Sequence, residues 1–219
     1  MACRFRRRIT MKITTIFVIT LLMASSTAAA VICPPANSDG RQYGPFNYND
    51  PDARVNKLSV VEAFHFTPQV AQLIRGNTGT LGGDIDYVLR AFPNHPRALN
   101  AMAQLALREK TDKPDGSHFT VECWFNRAIE FAPSDSTVYL LYGNYLFKTS
   151  RTQEALDQYL TAEKIDPQNS NVLYNAGLLY FNLKQYDQSL AYAKKAYAAG
   201  FPLPGLRMKL KKVGKWTDN

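Results

Sequence analysis

The sequence predicts an all-α protein, a right-handed α-solenoid of stacked helical hairpins with a C-terminal capping helix. Two observations carry that reading. Residues of matching size recur 34 positions apart: Gly143 returns as Gly177, Ala162 as Ala196, Leu146 as Tyr180, and Pro167 as Phe201, one residue before Pro202. A period of that length marks an array of helix–turn–helix units. Within one unit, Ala155 and Ala162 are small where helices must approach, and Tyr139, Tyr142 and Tyr159 are large where the space between helices must be filled.

The elements follow in chain order. Residues 1–30 read as a secretory signal: Lys12, the apolar run ITTIFVITLLMA, then Ala28-x-Ala30 for cleavage, with Met11 as an alternative start. The run is short for a membrane span. An uncleaved anchor helix is the alternative. Ile32, rather than a small residue, precedes Cys33, which argues against lipidation. The expected mature chain keeps 21 basic and 18 acidic residues, a net charge of +3, and nucleic acid is not an expected partner. Two cysteines remain, Cys33 and Cys123, and an even count in an exported protein predicts one disulfide. Two buried free thiols are the alternative.

Residues 31–54 form an irregular segment rich in Pro, Gly, Asn and Asp, whose Tyr43, Phe46 and Tyr48 either pin it to the body or stack on a ligand. Residues 55–95 read as a degenerate helical pair built on TPQVAQLIRG and DIDYVLRAFP, with Thr67 as N-cap and Pro68 at the first helical position. Asp84 and Asp86 are expected to begin the second helix and meet its dipole. Three repeats span 96–202, divided 96–135, 136–169 and 170–202. The first pairs a helix over Pro96–Arg108 with one over Val121–Pro133, across a lengthened turn at Lys110–His118. In the second the helices are Thr137–Lys148 and Thr152–Ile165. The third carries Ser189 at a small-residue position and lacks the closing proline, which predicts a distorted end. Residues 203–219 form the capping helix and tail, with Leu203, Leu206, Leu210 and Val213 on one face and Arg207, Lys209, Lys211 and Lys212 on the other.

These residues resemble the tetratricopeptide repeat (TPR) family. Counting Ser136 as position one, Tyr139, Tyr142-Gly143, Leu146, Ala155, Tyr159, Ala162 and Pro167 fall on the family's signature positions. From Ser170 the series is Leu173, Ala176-Gly177, Tyr180, Ser189, Ala193, Ala196 and Phe201. The upstream unit retains Leu99, Met102-Ala103, Ala106, Phe125, Ala128 and Pro133. YGPFNY, DIDYVLRAFPNHPRAL, ECWFNRAI and GFPLPGLRMKL also look like a group of small exported bacterial TPR proteins of unassigned function.

The resemblance implies a concave groove lined by the first helix of each unit. The inward positions would be Arg97, Asn100, Gln104 and Leu107; Thr137, Leu140, Asn144 and Phe147; and Asn171, Tyr174, Leu178 and Phe181, with Asn175 beside them. Amides there can bond both donors and acceptors of an extended peptide. An ordinary solvated face is the alternative. The cationic clamp by which some TPRs hold a C-terminal carboxylate is not matched, since Asn100 and Gln104 take its positions. Tyr139, Tyr142 and Tyr159 are assigned to the core and Tyr174 to ligand contact.

No strong catalytic constellation is present. His65, His95 and His118 are scattered, GNTGTLGGD lacks the lysine and strand of a phosphate loop, and no Gly-x-Ser-x-Gly occurs. The expectation is a non-enzyme with no metal and no cofactor. Two functional readings follow: a periplasmic scaffold that binds an envelope protein or peptide in its groove, and a cell-wall or glycan-binding module using Tyr43, Phe46 and Trp216.

Overall fold

Polar side chains cap many of the helices. The computed structural model describes residues 33–39 and 43–217, and the expected signal segment lies outside them. A turn of helix α1 (Pro51–Ala53) runs through a π-helical turn (Arg54–Leu58) into α2 (Ser59–His65). Then come α3 (Pro68–Ala71), α4 (Leu81–Ala91), α5 (Pro96–Glu109) and α6 (Val121–Phe131). They are followed by α7 (Ser136–Lys148), α8 (Thr152–Ile165), α9 (Ser170–Asn182), α10 (Tyr186–Ala198) and α11 (Gly205–Lys212). No strand occurs among the described residues. Thr80, His95, Thr120, Asp135 and Asn169 each accept a first-turn backbone N–H, which satisfies donors the helix itself leaves open. Thr67 departs from expectation: Pro68 does open α3, but the Thr67 hydroxyl is buried and makes no capping bond.

Two regular hairpins, α7 with α8 and α9 with α10, form the second half of an α-solenoid. In the first, the Tyr159 ring lies against Gly143 so closely that a Cβ there would stand 2.5 Å from Cε1. The Tyr159 hydroxyl then donates to Asn144 Oδ1 at 2.7 Å. In the second hairpin Ser189 is fully buried and donates to the Gly177 carbonyl at 2.8 Å. A hydroxyl thus fits the small-residue position, and α10 runs regularly to Ala198. Phe201, standing where the proline is missing, stacks on Tyr174. The turns after α5, α7 and α9 each pass through a left-handed residue, Lys110, Ser150 and Lys184.

The first half is held differently. Asp84 and Asp86 lie buried rather than facing the solvent at the head of α4. Asp84 accepts from the Asn77 and Thr78 backbone and from the Thr78 hydroxyl, and lies 3.0 Å from His65 Nδ1. Asp86 accepts the His118 N–H at 2.7 Å and an ion pair from Arg90. These acids clasp loops to the body, a correction to their reading as dipole partners alone.

The leader is stapled down as well. Cys33 and Cys123 form a disulfide across 90 positions, with Cα atoms 5.4 Å apart. Beside it the buried Arg127 donates to the Pro34 and Pro35 carbonyls and lies over the Phe119 and Trp124 rings. Asn94, fully buried, accepts from the Tyr48 N–H and donates to Asn47 Oδ1 and Asp135 Oδ2. Tyr43 and Phe46 pack edge to face, and Phe46 meets Phe92.

Residues 32–219 form a compact unit by themselves. Its main core runs from Ala53 to Leu179, and a smaller cluster sits where α11 covers α9 and α10. Leu206 and Leu210 bury into that cluster, whereas Leu203 (61% exposed) and Val213 (40%) lie outside it. The expected apolar stripe of the capping helix is therefore narrower than its sequence.

Candidate functional site

Pro96 and the His95 cap fix the first turn of α5, so Arg97, Asn100 and Gln104 fall three and four residues apart on one exposed face. Ala98, Leu99, Ala101, Met102 and Leu105 bury the opposite face. Helix α7 packs beside α5. Thr137, Leu140 and Asn144 on it are half-buried and Phe147 is exposed. On α9, Asn171 is exposed, while Asn175, Leu178 and Phe181 are half-buried.

A cleft of about 680 Å³ opens where α2 and α3 meet α5. Glu62, Phe66, Pro68 and Gln72 line it together with Arg97 and Asn100. The Ala98 N–H donates to His95 Nδ1 at 3.1 Å, so the ring proton sits on Nε2, which faces Glu62 Oε1 at 3.2 Å. That hydrogen bond, opposed by partial burial and aided by the nearby Arg97 guanidinium, holds the Glu62 carboxyl below its usual range. Arg97 lies 3.4 Å from the same oxygen and over the Phe66 ring, yet its side chain is 59% exposed. The cleft thus offers an anchored carboxylate, an accessible guanidinium, an amide and an aromatic wall within one hollow. A second hollow of about 350 Å³, lined by Leu107, Lys110, Tyr145 and Thr149, lies between the C-terminal ends of α5 and α7.

Three sequence-based assignments change. Tyr174 is only 9% exposed: its ring stacks on Phe201 at 3.8 Å and its hydroxyl accepts the Leu206 N–H at 3.1 Å. It is core under α11, not a ligand contact. Asn144 is engaged by the Tyr159 hydroxyl, whereas Asn100 and Gln104, 3.5 Å apart, both remain exposed. Tyr43 donates to the Lys57 carbonyl, and Trp216 packs on Tyr197 and Arg207, so the proposed glycan-stacking rings serve the fold. The histidines stay apart, each beside a different acid. Among the described residues no cluster of three or more His, Cys, Asp or Glu side chains could hold a metal ion. Glu62, Phe66 and Gln72 were missed because they precede the repeats; the Thr67-Pro68 turn between α2 and α3 was their signal in the sequence.

The TPR repeat family matches residues 143–184, and a second tetratricopeptide repeat description matches 170–199. Residues 143–199 of the chain thus carry tetratricopeptide repeats. Its fold is shared with a solved structure titled "Functional Characterization of Pseudomonas Aeruginosa pilF", at a TM-score of 0.53 and 19% identity over 75% of this chain and 70% of that one. The "Crystal structure of MamA" aligns with 62% of this chain and 78% of its own at 14% identity, with a TM-score of 0.48. Among curated proteins, "Protein O-mannosyl-transferase TMTC3" of Homo sapiens is 24% identical over 104 residues, which cover 48% of this chain and 11% of that protein. The mouse protein of the same name is 25% identical over 99 residues and is covered to 10% of its length. The match spans about a tenth of those curated relatives. TPR repeats suggest a protein-interaction scaffold, and among the described residues no helix is long and apolar enough to cross a membrane.

Proposed function

We propose that this TPR protein is a non-catalytic scaffold of the periplasm that holds an extended segment of an envelope protein along α5 and α7. The observation that carries the reading is the cleft of about 680 Å³, which joins Arg97 and Asn100 of the expected groove to Glu62 and Phe66. A partner backbone can exchange hydrogen bonds with Asn100 and Gln104, while Leu107, Leu140 and Phe147 take its apolar side chains. Three repeats span 96–202, the first of them outside the matched repeat descriptions. The Cys33–Cys123 disulfide is compatible with an exported protein, as is the signal-like order of residues 1–30. Nucleic acid is not expected as a partner. A cell-wall or glycan role draws no support from Tyr43, Phe46 and Trp216, whose rings pack within the chain.

Photo-cross-linking residues placed at Asn100, Gln104 and Phe147, with Lys164 as a control, test the reading in envelope extract. The groove positions should capture one common protein and Lys164 should not. Capture of the same set from all four positions would sink the groove.

A further inference from the structure

We propose that the outward face of α11, with the loop before it, is a docking surface for an anionic phospholipid bilayer. Charge is the first ground. Residues 33–200 hold 16 basic and 17 acidic side chains, whereas residues 201–219 hold five basic ones (Arg207, Lys209, Lys211, Lys212, Lys215) and a single acid, Asp218. A nearly neutral body thus ends in a cationic patch. A basic cluster of this size on an amphipathic helix is attracted to the negative surface of anionic lipid.

The second ground is where the apolar groups point. Leu206 and Leu210 are fully buried against α9 and α10. At about 100° per residue, Met208 falls on the opposite side of the helix, with Lys211 and Lys212 flanking it. Met208 is 60% exposed. Leu203 and Val213, also exposed, stand at the two ends of the helix. A helix that only capped the last repeat would need a polar outer face. Apolar side chains set among lysines are instead the composition of helices that lie in a membrane interface, where the lysines meet headgroups and the apolar groups enter the acyl boundary. A polyanion such as nucleic acid would use the cations and leave Met208 idle.

The surface is also held in place. Arg207, half-buried, lies over the Tyr197 and Trp216 rings, and Lys215 Nζ is 3.1 Å from Asp187 Oδ1. These contacts fold the tail back beside α11. Docking through this end leaves the cleft at α2, α3 and α5 open to a partner.

Co-sedimentation of residues 32–219, disulfide intact, with extruded vesicles tests the proposal. Vesicles of equal parts phosphatidylcholine and phosphatidylglycerol should bind the protein, with affinity falling as salt rises, and phosphatidylcholine alone should not. At about fivefold per cation, Lys209→Gln/Lys212→Gln should lower partitioning by roughly 25-fold. Met208→Ser should weaken vesicle binding severalfold and leave retention on heparin unchanged, and Met208→Leu should restore vesicle binding. Equal binding to both vesicle types would overturn the proposal. So would a Met208→Ser protein that binds vesicles like the wild type, since the patch would then be a polyanion site without an interfacial role. Unchanged melting curves for the variants keep these outcomes separate from loss of fold.

Discussion

From Ser136 onward, helices meet through rings and aliphatic groups set against small residues, Tyr159 on Gly143 and Leu206 on Gly177, and through ring on ring, Phe201 on Tyr174. Before Ser136 much of that work falls to buried polar groups. Among the described residues Asp84, Asp86, Asn94, His95, Ser117, Arg127 and Asp135 are buried there, against Ser189 in the later part. The disulfide also lies in the earlier part. The contrast has a physical cause. A regular repeat presents the same apolar interface to each neighbour, so packing alone can hold it. The long Lys110–His118 turn and the leader interrupt that interface, and backbone groups brought inside must find internal partners. Regularity is held by shape, and irregularity by hydrogen bonds and a covalent tie.

The largest expected effect tests the packed side. Tyr159→Ala should cost about 3–5 kcal/mol in denaturant unfolding, as large-to-small core changes do. A cost below 1 kcal/mol would show that ring packing is not what joins α7 to α8.

Removing the disulfide by Cys33→Ser/Cys123→Ser should cost about 2–4 kcal/mol. Hydrogen exchange should rise in the leader and α6 and stay unchanged in α9 and α10. A uniform rise would erase the distinction between the two regions.

Asp84 sharpens the comparison through pH. Burial raises its pKa, but the Thr78 hydroxyl, the Asn77 and Thr78 backbone and His65 outweigh that and hold it below the ordinary 3.8. The folded value lies below the unfolded one, so the stabilisation is fully present above about pH 4 and is lost as pH falls through the folded value. Asp84→Asn should cost about 2 kcal/mol at neutral pH, in the range of hydrogen bonds to a charged group. The gap from wild type should close in acid, which urea titrations at several pH values would read. A gap independent of pH would mean that the carboxylate's charge is not what binds the 77–78 turn.

Gly143→Ala is the smallest, about 1 kcal/mol or a little more, because the new methyl meets the edge of the Tyr159 ring. The double variant Gly143→Ala/Tyr159→Ala should cost less than the two single changes added together. Simple additivity would separate the pair.

The repeats were legible because their signal is local. The 34-residue period and the alanine positions placed α7 and α8 to within a residue of Ser136–Lys148 and Thr152–Ile165. The groove was legible only in part. Arg97, Asn100 and Gln104 are exposed on α5 as their spacing required. Tyr174 has the same spacing as Leu140, and no pattern within α9 tells that α11 returns to cover it. The cleft joins α2 and α3 to α5, and no repeat period links those elements.

By itself the sequence determined helices α4 to α11, the hairpin pairing of the repeats and the choice of cysteines, because caps, periodic apolar faces and residue counts are properties of neighbouring or enumerable positions; the helical stretch over residues 51–65, read as partly irregular, was not foreseen. Tertiary structure decided which polar residues are buried and which aromatic rings are free. An aspartate near a helix start looks the same whether it meets only its own dipole or, like Asp86, a backbone N–H 32 residues away. Only the folded chain brings the two together, and burial then makes the bond obligatory.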